Sequence, residues 1–361
     1  MSGPTTRSKP TFSVVAAERE LAYLDKTFRE NDAGAPTRLA EKGTAYFDNA
    51  LIEAKKQLQQ AGNWSECCTI YYRYLEHFRR NHLGLQLPAH LQHETPDSEF
   101  TAREPTDESP TVEALSEQTL LLRLPSFDEQ YQQPLAQLLN THRPLLQRCK
   151  NWVIDMRYNG GGSDWTYYSL LPWLNSGEVV SIGTEWLATP LNIQCREAQK
   201  DQLARTGGNE EVVAYLATAI ERMRQAPSGT FVNPEVEDTN FERCGAVEAQ
   251  RPSRVAILIG PDCGSSGEEF LLTARQSFAV KLIGQPTYGA LDISNLVLHD
   301  LPESGIKLVH AISRSRRLPD YPVDNIGVLP DIYLPTTDQD TPNHQVARVQ
   351  RWLEGGSLNP L

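Results

Sequence analysis

A serine hydroxyl becomes chemically useful when a chain presents it on a sharp turn. Val255 to Phe270, V-A-I-L-I-G-P-D-C-G-S-S-G-E-E-F, has the makings of such a turn. Val255 to Ile259 is a short apolar run rich in β-branched residues, which reads as a fully buried strand. Gly260-Pro261-Asp262 breaks it, and Ser265-Ser266-Gly267 leads into Glu268-Glu269-Phe270, the first turn of a helix. A serine there, with two acids behind it, suits the partial positive charge of a helix N-terminus, so Ser265 or Ser266 can be read as an N-cap. The same strand, turn and helix is also how hydrolases hold a nucleophile above a buried sheet. The local pattern leaves both readings open.

The elements around this stretch come from a chain of 361 residues, 39% hydrophobic and 22% charged, the balance of an ordinary globular protein. No apolar run is long enough to span a membrane. The formal net charge of -12, without a dense Lys/Arg cluster, argues against nucleic acid or an anionic membrane as partner. Met1 to Pro10 is polar and lacks a signal-type apolar segment, so either the protein stays in the cytoplasm or a signal has been removed. Cys67, Cys68, Cys149, Cys195, Cys244 and Cys263 show no metal-ligand spacing, and no pattern among the histidines suggests a metal.

Residues 1–12 read as a disordered tail. Over 13–80 apolar positions recur at helical spacing (Leu21, Leu24, Phe28; Tyr46, Leu51, Ala54; Ile70, Tyr74, Phe78), predicting a subdomain of three or four helices whose last runs from Trp64 to about Arg80. Residues 81–117 are a short alternating strand, Asn81 to Leu87, and a linker rich in Pro, Thr, Glu, Asp and Ser. Residues 118–337 form an α/β core. Thr119–Leu124, a helix near 130–146, and Trp152–Arg157 make a βαβ unit, and the second strand ends in Tyr158-Asn159-Gly160-Gly161-Gly162, a loop that glycines make accessible. Glu178–Trp186 reads as one strand, 195–225 as a helical insert broken at Gly207-Gly208, Val280–Gly284 as a buried strand, and 293–318 as β-rich. Residues 338–361 are a tail with a helix near His344–Leu353.

Four stretches, in order over roughly 118–335, resemble the motifs of the C-terminal-processing (tail-specific) serine peptidases, the family that includes the tricorn protease core. Ile154-Asp155-Met156-Arg157-Tyr158-Asn159-Gly160-Gly161-Gly162 resembles I-D-x-R-x-N-x-G-G, and Ser265-Ser266-Gly267-Glu268 looks like the nucleophile motif. Gly284-Gln285-Pro286-Thr287-Tyr288-Gly289 resembles G-E-P-T-x-G, and Gly327-Val328-Leu329-Pro330-Asp331 resembles G-I-x-P-D. The resemblance implies a ClpP/crotonase-like core. No room is left for the PDZ domain that many members carry, and the helical N-terminal subdomain stands in front of the core.

The resemblance also implies roles. The nucleophile position, three residues before the glutamate, is Ser265, with Ser266 as runner-up. The lysine of the best-known branch is replaced by Ala290, so a Ser–Lys dyad is not available. In the tricorn-like branch a histidine from the N-terminal part is the base, and His82 in Asn81-His82-Leu83-Gly84 holds that place, though without the preceding D-G. Asp324, where a glutamate is usual, is the expected orienter of His82, and the amides of Gly161 and Ser266 are the expected oxyanion donors. The implied activity is a serine endopeptidase acting on a peptide or unfolded protein without metal or organic cofactor. The insert and N-terminal helices would wall its cleft. Related bacterial members usually act outside the cytoplasm. Two other readings compete: an inactive peptide- or lipid-binding module on the same core, and an esterase or acyl transferase.

Overall fold

The structure, a computed structural model, describes residues 11–88, 91, 109–175, 177–235, 241–243, 248–335 and 341–358. The chain forms two units, each from separated stretches: residues 1–103, 184–238 and 293–316 in one, and 104–183, 239–292 and 317–361 in the other. The stretch 118–337, expected as one core, is therefore shared between them.

The first unit begins with four helices, α1 (Val14–Asn31), α2 (Ala35–Lys42), α3 (Thr44–Leu58) and α4 (Trp64–Leu75). Ser13 caps α1 by accepting from the Ala16 N–H, and Ala17, Leu21, Leu24 and Phe28 bury one stripe of it. The expected tail falls mostly outside the described residues, but Phe12 packs edge-on against Trp64. Helix α4 stops at Leu75, short of Arg80, because Phe78 turns inward to stack on Phe47 with ring centroids 4.5 Å apart. The strand predicted over 81–87 contracts to β1 (Gly84–Gln86). It pairs with β12 (Lys307–Ser315), which also pairs with β11 (Ile293–Asp300) and β6 (Thr184–Ala188), while β7 (Thr230–Val232) closes the sheet on β6; all four pairings are antiparallel. The predicted insert is the helix pair α9 (Pro190–Thr206) and α10 (Glu210–Gln225), separated where Gly207 adopts the left-handed conformation at φ 74°.

The second unit is a six-stranded sheet in the order β13 (Ile332–Tyr333), β10 (Val280–Gly284), β9 (Arg254–Ile259), β4 (Asn151–Asp155), β3 (Thr119–Arg123), β2 (Thr111–Ala114). Four of its pairings are parallel and only β2–β3 is antiparallel. Strand β2 lies in the stretch expected as linker; most of the rest of that stretch lies outside the described residues. Alternation of side chains explains why the strands are apolar throughout. Leu120, Leu122, Trp152, Ile154, Val255, Ile257 and Leu282 face one layer with α5 (Gln132–Thr141) and α11 (Ser266–Ala274). Leu121, Val153, Ala256, Leu258 and Ile283 face α12 (Pro342–Leu353) through Val346, Val349 and Leu353. The strand predicted over 178–186 is two, since β5 (Glu178–Val180) pairs with β8 (Phe241–Arg243) in this unit and β6 belongs to the other. Among the described residues no helix is long and apolar enough to cross a membrane.

Candidate active site

The second unit carries most of the predicted site. Strand β9 ends at Ile259, and Ser265 stands immediately before α11 at φ 56° and ψ -126°. A non-glycine residue in that region is strained, and strain of this kind persists only when its surroundings over-determine it. Glu268 supplies the over-determination. It is fully buried, and its carboxylate accepts from the N–H groups of Ser265 (3.1 Å), Gly289 (2.7 Å) and Ala290 (2.9 Å) and from the Thr287 hydroxyl. Thr287 Oγ1 in turn accepts from the Val328 N–H at 2.7 Å, so three of the four motifs are fastened to one another. Burial pushes the Glu268 carboxyl above the usual range, and the four donors work against that push. Glu268→Gln leaves two donors facing an amide N–H₂. It is expected to cost about 2–3 kcal/mol in urea unfolding and to lower activity through the loosened turn.

Gly161 approaches Ser265 from the β4 side. A Cβ there would lie 2.6 Å from Ser265 Cβ and 3.0 Å from Ser266 N, and φ at Gly161 is +98°. Gly162 has the same need, since a Cβ would fall 2.3 Å from the Phe127 backbone. The loop is held from below by Asn159, fully buried, whose Nδ2 donates to Leu124 O (2.8 Å) and whose backbone carbonyl accepts from Gly264 N–H (3.0 Å). Its Oδ1 accepts from the Gly161 N–H at 2.9 Å, so the amide expected to be an oxyanion donor is engaged in this conformation. The Ser266 N–H has no hydrogen-bond partner among the described residues and sits at the start of α11, where the helix dipole favours negative charge. The Ser266 hydroxyl donates to Gly162 O at 3.1 Å and is buried. Asp155 and Arg157 form a buried two-point pair (2.8 and 2.6 Å), and Arg157 reaches Gln345 Oε1 and Pro342 O on α12, tying the loop down.

Cys263, two residues before Ser265, is buried, and burial raises its thiol well above the ordinary range, so it remains an unreactive thiol. Ala290, at the position the resemblance gives to the family lysine, donates its N–H to Glu268 at 2.9 Å. A cleft of about 290 Å³ lined by Tyr158, Pro261, Asp262 and Gln285, among others, opens at the carboxyl ends of β9 and β10.

Asp324 and Asp292 exchange backbone hydrogen bonds. Asp324 Oδ1 accepts from the N–H groups of Leu291 (2.6 Å) and Asp292 (2.7 Å), while Asp292 Oδ2 accepts from those of Val323 (2.6 Å) and Asp324 (2.8 Å). Arg317 flanks them, donating to Glu269 at 3.0 Å. One oxygen of Asp324 is thus committed to fixing the chain at 291–292.

His82 belongs to the first unit. It follows α4 at φ 54°, another left-handed non-glycine residue. Its Nδ1 lies 2.6 Å from the Ile293 carbonyl oxygen. A carbonyl can only accept, so Nδ1 carries the proton and Nε2 is the basic nitrogen of the neutral ring. The Ile293 carbonyl is thus one partner of the ring. Sequence reasoning gave no role to Asp292, and read Glu268 as a first-turn acid and a marker for counting, not as the acceptor that fastens the turn.

The model of peptidase family S41 matches residues 118–334, more than half of the chain. Among solved structures, mature CPAF is similar with a TM-score of 0.64 at 13% identity, covering 94% of this chain and 97% of that one. A lipoprotein from Streptococcus agalactiae is similar with a TM-score of 0.54 at 14% identity over 98% and 99%. A photosystem II D1 C-terminal processing protease reaches 0.50 at 10% identity over 92% and 97%. At these identities the likeness is one of fold, a mixed helix and sheet fold of the peptidase type. No curated protein matches the chain.

Proposed function

Because the chain belongs to peptidase family S41, and is with it a serine-type peptidase, we propose that it hydrolyses peptide bonds of a peptide or unfolded protein through an acyl-enzyme on Ser265. The observation that carries this reading is the strained backbone of Ser265, held over the end of a buried parallel strand by a four-donor glutamate. Ser265 rather than Ser266 is the nucleophile, since the Ser266 hydroxyl is buried and already donates to Gly162 O.

A serine hydroxyl needs a base. On this reading His82 Nε2 takes the Ser265 proton as the hydroxyl attacks the carbonyl carbon and then returns it to the leaving amine. Water repeats the sequence on the acyl-enzyme. The charge on the tetrahedral oxygen is met by the Ser266 N–H, joined by the Gly161 N–H when that amide shares or leaves Asn159. Asp324 is the orienter of His82 on this reading, and one of its oxygens also fixes the main chain at Leu291 and Asp292. The reading also takes the unit that carries Ser265 as a ClpP/crotonase-like core, supported by its four parallel pairings. It takes the chain to work without a PDZ domain, because residues 87–110 between β1 and β2 are fewer than a domain requires.

A fluorophosphonate probe tests the assignment, since only an activated serine reacts. Labelling is expected in the wild type and in Ser266→Ala, absent in Ser265→Ala, and at least 10²-fold slower in His82→Ala. No labelling of the wild type would overturn the reading in favour of a binding module. Turnover of small esters without cleavage of an unfolded protein would turn it toward an esterase.

A further inference from the structure

The hydrogen bonds around His82 assign a second residue to the reaction. We infer that Arg79, anchored by Asp32, is the positioning residue that holds the His82 imidazole on its carbonyl partner. The inference rests on the reading of His82 as the base, and every group in it lies in the first unit.

His82 needs external support because its own backbone conformation is unfavourable: a side chain that bears a Cβ costs free energy at φ 54°. It follows α4 by seven residues and precedes β1 by two, in a segment of turns that has no ladder or helix to impose its geometry. Arg79 provides that geometry. Its Nε donates to Asn81 O at 2.7 Å and its Nη2 to His82 O at 2.7 Å, so one planar guanidinium grips two successive carbonyls of the strained turn. Its Nη1 pairs with Asp32 Oδ1. The Asp32 side chain is fully buried and is itself fixed, accepting from Gly34 N–H (2.9 Å) through Oδ1 and from Ala311 N–H (3.2 Å) through Oδ2. The guanidinium also lies over the Phe28 ring, with Cζ 5.2 Å from its centroid.

The same scaffold holds the carbonyl that His82 meets. Ala311, held by Asp32, lies on β12, and β12 pairs through Ser313 and Arg314 with the start of β11, where Ile293 stands. Gly34 closes the packing: a Cβ there would lie 3.1 Å from Arg79 Nη1, 3.3 Å from Asp32 Oδ1 and 3.4 Å from Ile293 Cγ2. Arg79 thus determines where the imidazole sits, and Asp32 ties Arg79 to the sheet that bears the acceptor. A displacement of about 1 Å in a catalytic group is enough to cost on the order of 10²-fold in rate.

Two mild variants test this. Arg79→Lys keeps the charge and loses the fork that grips both carbonyls; Gly34→Ala pushes a methyl group against the guanidinium. For each, kcat and KM for an unfolded protein substrate, the pH profile of kcat/KM, and the imidazole Nδ1–H signal by ¹⁵N NMR are measured on the full chain. The expected result is a 10–100-fold fall in kcat with KM within twofold, a displaced acidic limb, and loss of the protected Nδ1–H signal. A folded Arg79→Lys or Gly34→Ala protein with wild-type kcat, acidic limb and Nδ1–H signal overturns the inference. His82→Ala separates this from the underlying reading. If that variant stays active while Arg79→Lys loses the Nδ1–H signal, His82 is positioned as described but is not the base.

Discussion

Gly161→Ala is expected to lower kcat/KM by about 10²–10³-fold or more while the protein stays folded. The added methyl would lie 2.6 Å from Ser265 Cβ, 2.9 Å from Gly264 O and 3.0 Å from Ser266 N, on a residue whose φ of +98° already excludes an L side chain. Relief can come only by moving the glycine loop or the serine turn. The turn is fastened through Glu268 to residues 287–290, so the loop gives way and takes with it the Gly161 N–H proposed as the second oxyanion donor. The adjacent Gly160 is the control. A Cβ there meets nothing within 4 Å, so Gly160→Ala should remain within a few fold of wild type. Steady-state kinetics and the rate of fluorophosphonate labelling read both variants. A Gly161→Ala enzyme within fivefold of wild type would remove this loop from the site.

The largest effect on stability should come from acid, through His310 in the first unit. His310 is fully buried, and its Nε2 lies 3.0 Å from Asn192 Oδ1. Both amide hydrogens of Asn192 are used, on Asn31 O and Leu187 O, so its oxygen accepts and Nε2 of His310 carries the proton. Nδ1 has no partner among the described residues. Burial, and then the neighbouring His299, Arg79 and Arg196, lower its pKa from 6.5 to about 3. Between these two values the unfolded chain binds a proton that the folded protein refuses. The stability due to neutral His310 is therefore complete above pH 6.5 and is lost as pH falls toward 3. Between pH 7 and pH 4.5 the loss should be about 2–3 kcal/mol in urea unfolding.

Glu20 and Glu268 act in the opposite sense. Burial raises both, so their contribution is present below the ordinary carboxyl range and declines as pH rises through their folded values. Comparison with His310→Gln isolates the histidine, because a glutamine offers Asn192 an N–H and does not titrate. The variant should show a flatter acid limb by the same amount. An unchanged limb would show that His310 is not the group that titrates.

The readable parts of this protein were those in which a residue type is demanded by its own backbone. Gly161 and Gly162 sit where a Cβ has no room, the serine turn follows a strand buried on both faces, and the apolar runs of β3, β4, β9 and β10 follow from helices covering each side of a parallel sheet. Helical periodicity located α1 and α3, because each buries one apolar stripe. Where an element ends or pairs depends on other parts of the chain, and there the expectations drifted. Helix α4 is cut short by a ring stacking on a different helix, and residues 178–186 divide because their halves pair with strands in different units.

The amino-acid sequence by itself determined the family, the serine turn, the glycine loop and the absence of a lysine at Ala290, since each is a matter of side-chain identity at a spacing along one segment. Only the tertiary structure decided that the Ile293 carbonyl receives Nδ1 of His82, that Asp324 is paired with Asp292, and that Arg79 and Asp32 brace the histidine. A backbone carbonyl is the same in every residue, and a hydrogen bond across 211 positions leaves no periodicity or motif behind. Such partners are chosen by how the chain folds back on itself.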